Sequence, residues 1–516
     1  MMNLVTRAIL LTAIAAWLPG CASVDFDYPK AETHVLPATG DTYLGIHLAD
    51  VVDGKPSDQS GFYPLSDGVD AFAARLLLID RAERSIDVQY YLIKSDLVGN
   101  TFVHALLRAA DRGVRVRLLV DDILTKGHDA GMAALDAHPN FHMRVFNPFN
   151  RGAAGRTLGA LGSFSRINRR MHNKSVTVDN QMTIIGGRNM ANYYFGAEEA
   201  KKYGDLDVIG IGPIVNEVST MFDEYWNHHS SLPVQAVAEP LENPAAELAR
   251  VRAALDRADD EIANSVYAKV VEERYYGYVH SDDSIFEWAP YELVYDSPDK
   301  SKKSKAAAAP SITTGLIKSL ASAETEVVII SPYFVPRKSG IESISALQES
   351  GVDVTIITNS LAANNQFTVH AGYAPSRKPL LENGIRIYEF RPDADVSGAE
   401  FIAYSGAKAT LHTKAFIVDQ KSVFIGSFNF DPRSININTE MGVIIHDPKL
   451  ADLFTKSIDA ALPNETYEVF LNDKNKVRWR GRRNGEDVVF EKEPETSWGD
   501  RFKVGVVRIL PVRGQL

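Results

Sequence analysis

His172-Asn173-Lys174 is followed by Asp179 and then by Gly186-Gly187-Arg188-Asn189; His412-Thr413-Lys414 is followed by Asp419 and then by Gly426-Ser427-Phe428-Asn429. Every spacing in the first set recurs in the second, at an offset of about 240 residues. Between lysine and aspartate lie Ser175–Val178 and Ala415–Val418, both rich in strand formers. Residues two apart on a strand share a face, so His172 should point with Lys174, and His412 with Lys414. The apolar run after each aspartate reads as a second strand ending at the glycine pair. Asn189 and Asn429 would then sit at the turn or helix start that follows, where backbone N–H groups favour an anion.

The repeat extends outward from these motifs. Ser85–Tyr91 and Val327–Tyr333 are strand-like, and each precedes a helical pattern, Thr101 to Arg112 and Ser339 to Ser350. Each helix stops at a glycine, Gly113 or Gly351, and each glycine leads into a second strand, Val114–Val120 or Val352–Thr358. Strand, helix and strand within about 35 residues form a βαβ unit with parallel strands. Two similar α/β lobes fit a chain of 516 residues better than three unrelated domains. The expected limits are 66–230 for lobe 1 and 311–463 for lobe 2. Residues 231–310 are expected as connecting helices and linker, ending in the low-complexity run Ser301–Pro310. Residues 22–66 look irregular, and 464–516 form an extension with a hairpin, Tyr467–Leu471 against Val477–Arg480.

A charged fraction of 23% and a hydrophobic fraction of 45% exclude disordered and collagen-like classes. The net charge of −11 argues against a general nucleic-acid coat. The chain holds one cysteine, Cys21, so neither a disulfide framework nor a cysteine-based zinc site can be built. Arg7, the apolar run Ala8–Trp17 and Leu18-Pro19-Gly20-Cys21 describe a secretory signal over residues 1–21, too short to span a membrane. Leu-x-Gly-Cys resembles the lipobox of bacterial lipoproteins, which implies lipidation at Cys21 and attachment to a membrane surface. Ala22 stands where an aspartate would mark inner-membrane retention, which points toward the outer membrane.

The chemistry follows from the side chains in the repeated motif. Two lysines and two asparagines can donate to the non-bridging oxygens of a phosphodiester. One imidazole can attack phosphorus while the other protonates the departing oxygen. A carboxylate on each histidine would fix its tautomer. The lysines supply the charge that a cation would otherwise carry, and no metal or cofactor is expected.

This pair of motifs resembles the phospholipase D superfamily, in which His-x-Lys-x4-Asp-x6-Gly-(Gly/Ser)-x-Asn occurs twice per active site. The likeness runs from about residue 66 to 480 and is greatest to bacterial cardiolipin synthases of the periplasm-facing, C-type subgroup and to related phospholipase D-like lipoproteins. Asn168–His172, Ala191–Phe195, Asp205–Asp207, Val369–Tyr373 and Asp431–Ser434 carry the closer resemblance. It implies two α/β lobes packed around one shared active site, a phospholipid substrate, and phosphatidyl transfer through a phosphohistidine. The alternatives are a phospholipase D hydrolase releasing phosphatidic acid and a nucleic-acid phosphodiesterase, since the superfamily also contains nucleases. The net charge of −11 with a lipid anchor weighs against nucleic acid as a partner. The family's usual order makes His172 the nucleophile and His412 the general acid; the reverse order is the alternative. Lys174, Lys414, Asp179 and Asp419 complete the catalytic set, although motif aspartates of this kind more often support the fold than touch substrate. The resemblance places the carboxylate supporting the second motif's histidine at Glu440, 28 residues after His412. Aligning Gly212-Pro213 with Asp447-Pro448 sets Asp205 opposite Glu440, with Asp207 as the fallback. His370 matches the subgroup pattern but lies on an expected helix. The cations Lys474 to Arg483 around Trp479 form either a solvated hairpin or a contact for anionic headgroups.

Overall fold

The computed structural model describes residues 24–37, 39–125, 127–151, 166–198, 201–263, 269, 285–302, 311–393, 408–483 and 485–508. The signal segment with Cys21, and most of the low-complexity run 301–310, lie outside the described residues. In the first half the strands are β1 (Gln59–Leu65), β2 (Ser85–Tyr90), β3 (Arg115–Asp121), β4 (Phe141–Phe146), β5 (Ser175–Val178), β6 (Met182–Gly186), β7 (Lys201–Gly204), β8 (Asp207–Ile211) and β9 (Ser231–Pro233). Next come β10 (Glu287–Tyr295), β11 (Glu326–Ile330), β12 (Asp353–Asn359), β13 (Arg386–Phe390), β14 (Lys408–Leu411), β15 (Ala415–Val418), β16 (Ser422–Gly426) and β17 (Met441–Ile445). The last three are β18 (Thr466–Leu471), β19 (Val477–Arg483) and β20 (Glu486–Phe490).

Strands β2, β3 and β4 pair in parallel, and so do β11, β12 and β13. Each trio continues into an antiparallel set, β5-β6-β8 beside β2 and β15-β16-β17 beside β11. The parallel crossovers run through helices Leu97–Asp111 and Arg337–Glu349. Asp96 caps the first of these, its carboxylate accepting from Gly99 N at 3.2 Å. After each helix the chain reverses through a glycine at positive φ, Gly113 at 95° or Gly351 at 98°, as expected from the sequence. The helix after β8 starts at Pro213 behind Gly212, and the helix after β17 starts at Pro448 behind its cap Asp447.

Alternate residues of the central strands feed different cores. In β17, Val443 and Ile445 enter an apolar cluster shared by both lobes, while Ile444 faces a cluster belonging to lobe 2. In β8, Val208 joins the shared cluster and Ile209 the core of lobe 1. Strands covered on both faces explain why these segments read as nearly continuous apolar runs. The shared cluster, with Leu119, Ile185, Val328 and Ile417 among its members, presses the lobes together face to face.

Three expectations needed correction. The connecting segment contributes a strand as well as the helix Pro244–Ala263: β10 pairs through its first half with β1 and through its second half with β17, joining the two lobes into one 18-stranded sheet. Its pattern was hidden because its two halves pair with different strands, β1 and β17, and its residues are buried unevenly. Of the described residues within 22–66, those before Tyr43 are irregular as expected, but the rest hold a helix, Tyr43–Val52, and strand β1. The C-terminal hairpin gains a third strand, β20, and a helix, Trp498–Val507. Within it Trp479 is buried with its indole N–H on Glu389 at 2.9 Å, and Arg480 pairs with Glu468 at 2.8 Å. The hairpin is therefore held by the protein's own acids.

Candidate active site

The two motifs lead into β5 and β15 as extended segments, and both enter at the boundary between lobes. His172 N donates to Thr439 O at 2.9 Å, and His412 N donates to Gly204 O at 2.7 Å. Strands β7 and β14 pair in parallel beside the second motif. Asn168 and Arg433 bond across the same boundary at 2.7 Å.

The histidine-supporting carboxylates are Asp205 and Glu440, but they are crossed between lobes. Glu440 Oε2 lies 2.8 Å from His172 Nδ1, and Asp205 Oδ2 lies 2.5 Å from His412 Nδ1. This corrects the expectation that Glu440 supports its own motif. Asp205 and Glu440 are equivalent in the fold, each just before the third antiparallel strand of its lobe, and the face-to-face packing points each at its partner's imidazole. Asp207, the fallback, is occupied in a buried ion pair with Arg75 at 2.7 Å and Arg188 at 3.2 Å.

The glycine positions of the motif serve these carboxylates. A Cβ on Gly187 would stand 2.1 Å from Asp205 Oδ1, so no side chain fits there. Lobe 2 has Ser427 at the same place, and its hydroxyl donates to Glu440 Oε2 at 2.5 Å. Ser434 Oγ donates to Glu440 Oε1 at 2.7 Å.

Asp179 and Asp419 leave the catalytic set. Each sits at the far end of its strand, five residues beyond the motif lysine, or about 16 Å of extended chain. Asp179 accepts from the backbone N–H groups of Glu83, Arg84 and Ser85 at 2.8–3.0 Å, and Asp419 from those of Glu324, Thr325 and Glu326 at 2.7–3.1 Å. Both residues have positive φ, 50° and 53°, in the tight turn that joins the two strands of the motif. Their role in the structure is to pin that hairpin to the turn before β2 or β11.

Lys174 and Lys414 are buried beside the histidines, Lys174 Nζ reaching His172 O at 2.5 Å. Lys414 Nζ lies 2.6 Å from His412 Nδ1 and 3.5 Å from Asp205. Burial, with the neighbouring Lys414 charge, brings Lys174 down to about 7. Burial, with Lys414 beside it, depresses His412 to about 3. His172 is lowered by burial, with Lys174 adding and Glu440 opposing. Burial would raise Asp205, but Lys414 and His412 outweigh it and hold that carboxyl at about 2. Both imidazoles are therefore neutral at pH 7, with both carboxylates ionised. An ionised carboxylate only accepts, so the proton of each imidazole sits on Nδ1 and leaves the Nε2 lone pair facing inward.

Among the described residues, Asn189 and Asn429 each leave a buried carboxamide Oδ1 without a partner. Amide orientation follows the bonding partners, so an anion in the site would turn either amide to present its N–H₂. The sequence reading missed four residues. Ser427 and Ser434 hold Glu440, as described. Tyr194 Oη lies 3.3 Å from His412 Nε2 and accepts from Asn189 Nδ2 at 2.9 Å. Tyr203 stacks on the His412 ring at 5.2 Å. Signals for three of them were present, in the Gly/Ser alternation of the motif and in the stretches Asp431–Ser434 and Ala191–Phe195. Tyr203 had none. His370 is buried in a network with Arg377, Glu389 and Glu493 that ties the C-terminal extension to lobe 2.

A family model described as "Cardiolipin synthase, PLD-like domain" matches residues 76–226 and 316–462. Cardiolipin synthase C of Escherichia coli (strain K12) is 40% identical over 457 residues, which is 88% of this chain and 96% of that protein. A cardiolipin synthase of Staphylococcus aureus (strain Mu50) is 24% identical over 389 residues, 75% of this chain and 64% of that protein. Among solved structures, the phosphatidylserine synthase of Haemophilus influenzae Rd KW20 shares the fold, with a TM-score of 0.56 at 13% identity over 91% of this chain and 99% of that one. Two similar lobes, a doubled motif and a family match spanning both place this chain in the phospholipase D superfamily, as a member of the cardiolipin synthase, PLD-like domain family.

Proposed function

We propose that the protein is a phosphatidyltransferase that moves a phosphatidyl group from one alcohol to another, as in cardiolipin synthesis. The observation that carries this reading is the reciprocal grip of each histidine by the other lobe's carboxylate. It supplies two oriented imidazoles to one site, and displacement at phosphorus needs both. Lys174, Lys414, Asn189 and Asn429 surround the pair with donors for non-bridging oxygens.

In the first step His172 Nε2 attacks phosphorus and the bond to the leaving alcohol breaks. A proton passes from His412 to that alcohol's oxygen, leaving a phosphoramidate on His172 and His412 neutral. In the second step His412 takes the proton of an incoming hydroxyl, whose oxygen displaces His172 from phosphorus. The acid step needs a protonated His412, whereas the empty site holds it neutral. A phosphodiester anion counters the charge of Lys414 and Lys174, so substrate itself raises His412 toward its protonated form.

Identity to cardiolipin synthase C over nearly the whole chain supports a phospholipid substrate and a phosphatidylglycerol hydroxyl as acceptor. The net charge of −11 weighs against a nucleic-acid phosphodiester. Among the described residues no helix is long and apolar enough to cross a membrane. Lipidation at Cys21, in the cell envelope facing the periplasm, is the attachment that the Leu-x-Gly-Cys resemblance supports, with the outer membrane favoured by Ala22. The test is to incubate purified protein with labelled phosphatidylglycerol and phosphatidylethanolamine and resolve the lipids by mass. Labelled cardiolipin is the expected product. Phosphatidic acid alone would make water the acceptor and the protein a hydrolase.

A further inference from the structure

A second feature of lobe 1 adjoins the catalytic histidine. Between the carboxyl ends of β2 and β3 and the helices Leu97–Asp111 and Asp129–Asp136 lies a cavity of about 330 Å³. Its wall is mainly apolar, with Val103, Leu118, Met132, Leu135, Met143 and Leu255 among the lining residues. Tyr91 is also on the lining, and its ring meets the His172 imidazole edge-on at 5.0 Å between centroids. Lys94 and Ser95 lie on the lining where the chain leaves β2.

The outer wall comes from the connecting helix Pro244–Ala263, through Val251, Ala254 and Leu255. That helix carries eight charged residues among its 20, with Leu248, Val251 and Leu255 packed toward lobe 1. Ion pairs hold it in place, Arg252 with Asp111 at 2.5 Å and Arg108 with Asp259 at 2.9 Å, and His104 Nδ1 lies 2.5 Å from Asp259 Oδ2. A surface helix fixed by charges over an unfilled apolar space keeps that space open instead of collapsing into it.

We propose that this cavity receives one acyl chain of the phosphatidyl donor, an inference that rests on the transfer reading above. The volume falls in the range of small-molecule sites, and such sites in α/β sheets lie at the carboxyl ends of parallel strands. An apolar wall rewards burial of methylenes and offers little to a glycerol or a second phosphate. Met132 and Met143 suit chains of varied length, because thioether side chains adapt to irregular shapes. Contact between Tyr91 and His172 sets the chain beside the phosphorus that His172 would attack. Lobe 1 would thereby hold the donor's hydrocarbon and leave the acceptor to the other side of the site.

The test compares phosphatidylglycerols of long and short acyl chains, both presented in one detergent as mixed micelles. In Val251→Trp and Met132→Trp the ratio of kcat/KM for long over short chains should fall about tenfold, the effect of excluding two methylenes from an apolar site. In parallel, a phosphatidylglycerol with a diazirine at the end of one acyl chain is photolysed on the unmodified protein and the adducts are mapped. Labels on helices 97–111, 129–136 or 244–263 are expected. Labels confined to lobe 2 would overturn the pocket, as would an unchanged ratio in variants that keep their melting temperature. If a tryptophan variant does not fold, the labelling of the unmodified protein decides alone. Failure of the unmodified protein to turn over either substrate would count against phosphatidyl transfer, and the labelling pattern would still decide the pocket.

Discussion

His172 and His412 occupy equivalent places in two similar lobes, yet their surroundings differ. The His172 side chain keeps 12% exposure and meets the edge of Tyr91, and among the described residues its Nε2 has no hydrogen-bond partner. Its carboxylate, Glu440, is a hub that also accepts from two serine hydroxyls. The His412 side chain keeps 6% exposure, is stacked on Tyr203, faces Tyr194 Oη at Nε2 and has Lys414 Nζ 2.6 Å from Nδ1. A doubled motif therefore does not mean doubled chemistry. The open imidazole suits attack on phosphorus. The enclosed one, with its affinity for a proton depressed, suits a group whose proton comes and goes with the charge of the substrate.

The sharpest way to break this comparison is to remove each ring. His172→Ala should abolish turnover and form no adduct. His412→Ala should cost about 10²–10⁴-fold with alkyl leaving groups, the usual range for a lost general acid. With a nitrophenyl phosphodiester, which leaves without a proton, the same variant should stall as a phosphohistidine visible by intact-protein mass spectrometry. Peptide mapping that found the adduct on His412 of the His172→Ala protein would reverse the two roles.

The crossed carboxylates give the next effect. Glu440→Gln should resemble a His172 defect, with slow adduct formation. Asp205→Asn should resemble a His412 defect, with an adduct that forms from the nitrophenyl substrate and persists. Losses up to about 10⁴-fold are expected for neutralising the carboxylate behind a catalytic imidazole. Pre-steady-state bursts separate the two steps, and the opposite assignment of defects would show that each carboxylate serves its own lobe.

Tyr194→Phe removes one hydroxyl from His412 Nε2 and should change kcat by about two- to tenfold, the worth of one hydrogen bond. Its diagnostic is the pH profile. The acid contribution of His412 should shift toward higher pH once the hydroxyl is gone, whereas Tyr91→Phe should leave the profile in place.

The smallest effect concerns stability. His412 is depressed to about 3 in the folded chain against 6.5 for a free imidazole, so between those values the unfolded chain binds the extra proton. Stability should fall as pH drops from about 6.5 toward 3. In His412→Gln that slope should be shallower, read as a melting-temperature gap that narrows by a few degrees between pH 7 and pH 5. Parallel curves would mean that the imidazole is not held neutral by its surroundings.

Much of this was legible in the sequence because it is local. Strand-forming residues at fixed distances, glycine stops after helices and a motif repeated at about 240 residues define two α/β lobes and name His172, Lys174, Asn189, His412, Lys414 and Asn429. The family resemblance placed Glu440, and aligning the two lobes set Asp205 opposite it as its equivalent. Three matters lay beyond it. Strand β10 is divided between two neighbours, β1 and β17, so no single pattern of burial marks it. Asp179 and Asp419 look like acids of the site, but backbone amides from another segment claim them. Which carboxylate serves which histidine depends on how one lobe is turned against the other. That turn is set by the apolar cluster both lobes share, built from residues far apart in the chain, and spacing within either motif carries no record of it.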